Sequence, residues 1–204
     1  MKNGEVIRDA LLNNTIRLIG EGGFEKATTK AIVTIGGDNS SERINEVYIY
    51  RIFGSKEALY EEAFLLLDRE LISVFRESAR AVGGFEENTK EHLYEFFLKA
   101  WSFILGKEDR CRCYLRYYYS VYYKGRPVQA HRKAFEDFIE GMKPIFKDEA
   151  DVVSILHGVF TAFFDFGIRV YNGDLEDSDI NRPHIFNVLY CMMSSYFTDE
   201  IKAS

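Results

Sequence analysis

Residues 36–56 read GGDNSSERINEVYIYRIFGSK. The closing part, INEVYIYRIF, is an apolar and aromatic run the length of one short helix, and Gly54 ends it. Ser55 is a natural N-cap for a further helix, with Lys56, Glu57 and Ala58 in its first turn. The opening, GGDNSSER, is polar and longer than a tight turn between two short helices needs. What kind of fold this is depends on the residues either side of that opening.

Upstream, Val6, Ile7, Ala10, Leu11 and Leu18 lie near helical spacing until Gly22-Gly23, which predicts a helix over 5–21. Thr28 is placed to cap a short helix over 28–35, which Gly36-Gly37 terminates. A third short helix is expected over 44–53. Downstream, Leu59, Ala63, Leu66, Leu67, Leu71 and Val74 make the stripe of a long helix from Lys56 to about Ala81. Further helices are expected over 88–105, 109–123, 127–146 (distorted or cut short by Pro144), 149–171 and 178–200. Three prolines in 204 residues leave long helices room to form. The expectation is an all-α chain: a three-helix head, residues 1–55, joined by the long helix to a six-helix body, residues 56–204.

Composition narrows the class. The chain is 47% hydrophobic and 15% aromatic, enough for a substantial core. Its net charge of −6 argues against coating nucleic acid indiscriminately. The charge is uneven, however. Residues 1–56 hold eight Lys/Arg and seven Asp/Glu, the remainder 18 and 25, so a near-neutral head precedes an acidic body. The N-terminus is polar and the longest apolar runs fall short of a membrane span, so no membrane role is expected. Cys111, Cys113 and Cys191 have no zinc-type spacing and read as reduced thiols of a cytoplasmic protein. No glycine-rich phosphate loop, metal-spaced His/Cys/Asp set or nucleophile elbow is visible, so neither an enzyme nor a cofactor or metal is expected.

Three short helices before a long one suggest a helix-turn-helix head. Here GGFEKATTKAIVTIGG at 22–37 and INEVYIYRIFGSKEALY at 44–60 resemble the TetR family of bacterial repressors. Gly23, Phe24, Thr28, Ile32, Gly37, Tyr50, Phe53, Ser55, Lys56, Glu57 and Leu59 fall on the family pattern over about the first 60 residues. The resemblance implies a homodimer whose two heads read a near-palindromic double-stranded operator, released by a small-molecule effector held in the body. Asn14, Thr15 and Val33 depart from the pattern, where small apolar or small residues are usual. DNSSER, residues 38–43, has no counterpart at all. Without it Gly37 would join Ile44 in register.

In such a head the third helix enters the major groove. Thr28, Arg43, Asn45, Glu46, Tyr48, Tyr50, Arg51 and Lys56 are the candidate DNA-contacting residues. Glu46, Val47, Tyr48 and Arg51 are expected to face outward, and Phe53 to be core. Tyr50 either sets its hydroxyl on a phosphate or simply packs, as does Tyr48. Lys56, at a helix start, is a candidate phosphate clamp. Asn39 and Glu42 have capping-box spacing, which favours extending the third helix backward by about a turn and puts Arg43 at its leading end. The competing geometry starts that helix at Asn45 and leaves a bulge. A modified head that no longer reads DNA, leaving a helical interaction module, is the alternative function.

The body is rich in aromatic residues. Phe97, Trp101, Tyr118, Tyr122, His131 and Phe163 are the candidate effector-binding residues, for an aromatic or lipophilic molecule. The stretch DRCRCYLRYYYSVYYKGR at 109–126 reads as one helix with a packed tyrosine face and a solvated arginine face. Residues 152–170 are apolar almost all round, which predicts burial on both sides. With the last helix they suggest a self-association surface, for which Val159, Phe166, Val188, Met192 and Ser195 are candidates. His157 is expected to be a core or interface histidine.

Overall fold

Gly23 and Gly54 both have φ near +80°, a region that side chains with a Cβ rarely adopt. The chain breaks there, after its first and third helices. The computed structural model describes residues 2–34, 44–82 and 90–198. Its helices are α1 (Lys2–Gly22), α2 (Thr29–Ile32), α3 (Val47–Phe53), α4 (Lys56–Ala81), α5 (Lys90–Leu105), α6 (Glu108–Tyr118), α7 (Arg126–Met142), α8 (Val152–Tyr171) and α9 (Asn181–Ser194). The fold among these residues is all-α, as the periodicity predicts. A 3-10 turn, Lys143–Ile145, replaces the expected end of α7. Pro144 lies within it, where it has no N–H to continue the helix.

The described chain forms two compact units. The first holds residues up to Glu70 together with Lys107–His131, and the second holds Leu71–Gly106 with the chain from Arg132 onward. Helices α4 and α7 each contribute one part to either unit.

In the first unit, α1 packs along α6 and against α2 and α3. Leu11, Leu12, Ile16, Ile19, Ile32, Ile49, Leu59 and Phe64 are buried there. At Gly20 the approach of α6 is so close that an added Cβ would stand 2.2 Å from the Asp109 carbonyl oxygen. The Arg116 guanidinium donates to the carbonyls of Ile19 and Gly20 in the last turn of α1, the first of which also accepts from the Gly23 amide. Arg110 pairs with Glu70 (2.9 Å). Arg110 and Arg116 are therefore engaged across the unit rather than forming the solvated face expected from sequence, while Arg112 pairs with Glu108 on α6 itself.

Helix α6 also stops five residues early. Ser120 donates its hydroxyl to the Tyr117 carbonyl (2.7 Å) and accepts from the Tyr122 amide (3.1 Å), replacing helical bonds with side-chain ones. Tyr122 then folds back beside Phe24 and Tyr60, with ring centroids 4.9 and 5.7 Å apart.

In the second unit, α5, α8 and α9 pack on one another. Gly167 of α8 lets the Ile104 side chain of α5 approach to 2.9 Å from where a Cβ would sit. A short antiparallel bridge, Phe146 to Phe197, ties the end of the 3-10 turn to the end of α9, with Lys147 N–H donating to Tyr196 O (2.9 Å). By length and composition α8 is sufficient to cross a bilayer, in contrast to the shorter runs read from the sequence; a third of that span is buried inside the protein. Within the single chain, one side of α8 is uncovered. Val153, His157, Thr161 and Asp165, four residues apart, form an exposed stripe.

Candidate nucleic-acid interface and ligand cavity

Thr28 has extended backbone angles, and its hydroxyl accepts from the Ala31 amide (3.2 Å), so it starts α2 as an N-cap. Helix α2 has only four residues, so its carbonyls need outside donors. Val33 and Thr34 supply some of them, and Asn14 of α1 supplies the rest. Its side-chain amide reaches the carbonyls of Ala31 (3.1 Å), Ile32 (2.6 Å) and Thr34 (2.9 Å). Arg17 holds the other end of that amide, donating to Asn14 Oδ1 (2.8 Å), and is itself held by Glu21. An asparagine that departs from the family pattern thus fastens α2 to α1. Thr15, the neighbouring departure, is buried and donates to the Leu11 carbonyl (2.8 Å). Val33 is fully buried beside Ile32.

The start of α3 is also set by named bonds. Ile44 N–H donates to the Val33 carbonyl (2.9 Å), joining the chain at the end of α2 to the chain about to enter α3. Asn45 Oδ1 accepts from the Val47 amide (2.9 Å). Both bonds occupy groups that a helix continuing backward would need, and α3 begins at Val47 with Glu46 as its N-cap residue. The expected backward extension therefore does not reach Ile44 or Asn45. Arg43, with the rest of 35–43, lies outside the described residues.

Val47, Tyr50 and Arg51, at spacings of three and four, share the exposed side of α3, with Val47 63% and Tyr50 55% accessible. Ile49 on the opposite side is fully buried and anchors the helix. Among the other candidates, Thr28 and Asn45 are exposed, while Glu46, Tyr48 and Lys56 are half-buried. Phe53, expected in the core, is half-buried beneath the Arg8 guanidinium, 5.7 Å from its ring centre.

Ser55 caps α4 through the Ala58 amide (3.0 Å). The Lys56 ammonium rests over the Tyr60 ring at 5.6 Å. The Tyr60 hydroxyl, buried, donates to the Ala27 carbonyl (2.6 Å), tying α4 to the approach to α2. Burial above all, then Tyr122, Glu57 and Glu25, push its pKa up to about 12. Neither Asn14 nor Tyr60 stood among the sequence candidates. An asparagine at an apolar register position was the one visible signal for the first.

The six effector candidates divide between the units. Tyr118, Tyr122 and His131 belong to the first. There His131 Nδ1 lies 2.7 Å from the buried Asp68 carboxylate, to which Tyr114 also donates (3.3 Å). Phe97 and Phe163 belong to the second, where they line a cavity of about 60 Å³ among α4, α5, α7, α8 and α9. Trp101 stacks behind them, 5.5 Å from Phe97 and 5.7 Å from Phe163. Its indole N–H donates to Asp177 (2.9 Å), which Arg182 grips with two bonds of 2.8 and 2.7 Å. That grip, first of all, holds the Asp177 carboxyl below the usual carboxylate range.

No family model and no curated protein matches the sequence. Solved structures do match over nearly all of it. A TetR-family transcription regulator from Marinobacter aquaeolei VT8 superposes with a TM-score of 0.71 at 15% identity, covering 94% of this chain and 97% of that one. A chain assigned to the same family from Shewanella sp. PV-4 gives 0.72 at 14% identity, covering 94% and 98%. A TetR-like regulator from Rhodococcus sp. RHA1 gives 0.59 at 16% identity, covering 92% and 93%. The chain has the TetR-family fold. At such identities the fold is what is shared, and this TetR fold carries its own surface. On α9, Val188 and Met192 are exposed, as is Ser195 beyond it. Phe166 of α8 is half-buried, and Val159, expected at a subunit interface, is buried and lines the cavity instead.

Proposed function

We propose that this chain is a DNA-binding transcription regulator, acting as a homodimer and released from its operator by a small molecule. The observation that carries the reading is the exposed side of α3. It offers a methyl-bearing Val47, a Tyr50 hydroxyl and the Arg51 guanidinium together, beside a fastened α2. These are groups that meet thymine methyls, phosphates and guanine edges in a major groove. Lys56, at the start of α4, is a phosphate contact. The functional division falls at 55/56, with the head reading DNA and the remainder holding ligand and partner.

The exposed Val153 of α8 and Val188, Met192 and Tyr196 at α9 support self-association. Two heads on one dimer then read half-sites about one helical turn apart on a near-palindromic operator. Helix α4 is the mechanical link, since it begins at the DNA-facing turn and later gives Phe75 to the cavity wall. A ligand that favours one dimer shape needs only a few-fold preference per site to shift the heads. The setting for such a protein is the cytoplasm, with no cofactor.

Binding of the purified dimer to its own upstream DNA is the test, by mobility shift at low salt. Binding to no such fragment sinks the proposal. The ten residues between Val33 and Ile44 favour one rival reading, an interaction module that has lost its operator. Deleting 38–43 separates the two. The regulator keeps its operator preference in both forms, whereas a preference that appears only on deletion favours the module.

A further inference from the structure

Among the described residues, the cavity of the second unit is lined by no polar side chain. All its lining residues among the described chain are hydrophobic, seven of them phenylalanines. No carboxylate stands ready to hold a cation, no arginine or lysine to hold an acid, and no hydroxyl or amide to fix a polar group. The backbone around it belongs to helices whose amides are already bonded to one another. A charged or hydrogen-bonding ligand would have to strip its water there and receive nothing in return.

From this we infer that the site takes a neutral hydrocarbon-like molecule, one without charge or hydrogen-bonding groups at the end that enters the cavity. The inference deepens the regulator reading, on which it rests, by naming the class of its effector. The size of the cavity adds a constraint. An engineered apolar cavity of about 150 Å³ accepts benzene. At about 60 Å³ this one is smaller. A ring therefore enters by displacing flexible walls, and Met142 and Met193, with three rotatable bonds each, are the side chains that yield.

The protein carries its own reporter. Trp101 is the sole tryptophan, buried against two lining phenylalanines and held by Asp177. Titrating the full chain with toluene, phenol, benzoate and benzylammonium, while following tryptophan emission and the melting temperature, tests the class. Toluene is expected to shift both. Phenol binds at least about tenfold more weakly, because its hydroxyl goes unpaired. Benzoate and benzylammonium leave both signals where they were.

Equal or tighter binding of either ion overturns the inference, and so does indifference to toluene. Ala100→Leu fills part of the cavity and is expected to abolish the toluene response while far-ultraviolet circular dichroism stays helical; a response that survives in the folded variant locates the ligand elsewhere and overturns the site. The comparison among the four probes on the unaltered chain stands even if that variant fails to fold. Operator release is measured separately: toluene that shifts Trp101 but leaves the DNA complex intact supports the class and counts against the regulator reading alone.

Discussion

Asn14 is one side chain that decides where a whole element sits. Its amide offers two N–H donors to three carbonyls in and just after α2, of which Ala31 also accepts from the Thr34 amide. Asn14→Ala takes this donor from the Ile32 and Thr34 carbonyls, while Ala31 keeps the Thr34 amide, and costs about 1–2 kcal/mol of stability, read as a lowered urea midpoint with unchanged slope. Asn14→Asp gives no rescue, since an ionised carboxylate donates nothing and faces the negative end of α2. Tyr60 makes the matching case on α4. Tyr60→Phe keeps the ring beneath Lys56 but strands the buried Ala27 carbonyl, a loss of about 1–3 kcal/mol by the same measurement. If Tyr60→Phe melts with the parent, that bond is not holding the head to α4.

At the scale of elements, α3 is exposed along one side and anchored by Ile49 on the other. Arg51→Ala should weaken operator binding and flatten its salt dependence by about one unit of slope, with the helix content unchanged. An unaltered salt slope would take Arg51 off the DNA. The contact of α1 with α6 leaves no room at Gly20, so Gly20→Ala forces the helices apart and lowers stability by about 1–3 kcal/mol.

Long elements were legible in the sequence because apolar spacing over many residues averages out local accidents. Helix α4 was legible with both ends in place, its start from Ser55 and its end from the apolar stripe that runs out near Ala81. Short elements were not, because a single side chain decides them. Asn45, by taking the Val47 amide, stops α3 where the Asn39–Glu42 spacing argued for more helix. Ser120 ends α6 although the tyrosine periodicity runs on. The cavity was legible only as a surplus of aromatic residues. Which of them converge depended on which unit each helix segment joined, and pairing of that kind leaves no local pattern.

For the molecule as a whole, the tyrosines of the first unit set an alkaline limit. Burial pushes Tyr60 and Tyr117 up from 10.0 to about 12, so the fold favours their neutral forms. Their contribution to stability is complete below pH 10 and is lost as pH rises through about 12. Tyrosinate absorbance should therefore rise late and together with loss of helical dichroism. Tyrosines that all titrate near 10 in a folded protein would contradict this. Asp177 works in the opposite direction: its depressed carboxyl stabilises the fold above its unfolded value and releases that stability as pH falls through the lower folded one. Trp101 emission should change in that acid window before the global unfolding transition.

The bond between Ile44 and the Val33 carbonyl has one more consequence, for engineering. Two points of the chain that are clasped together fix the entry to α3 regardless of how many residues separate them. Closing a longer segment costs only the logarithm of its length, about 0.6 kcal/mol for each doubling. The stretch between 34 and 44 is therefore a port into which an epitope or a short fluorescent-labelling peptide can be grafted. An insertion there is expected to leave the Asn45–Val47 bond, and so the start of α3, in place.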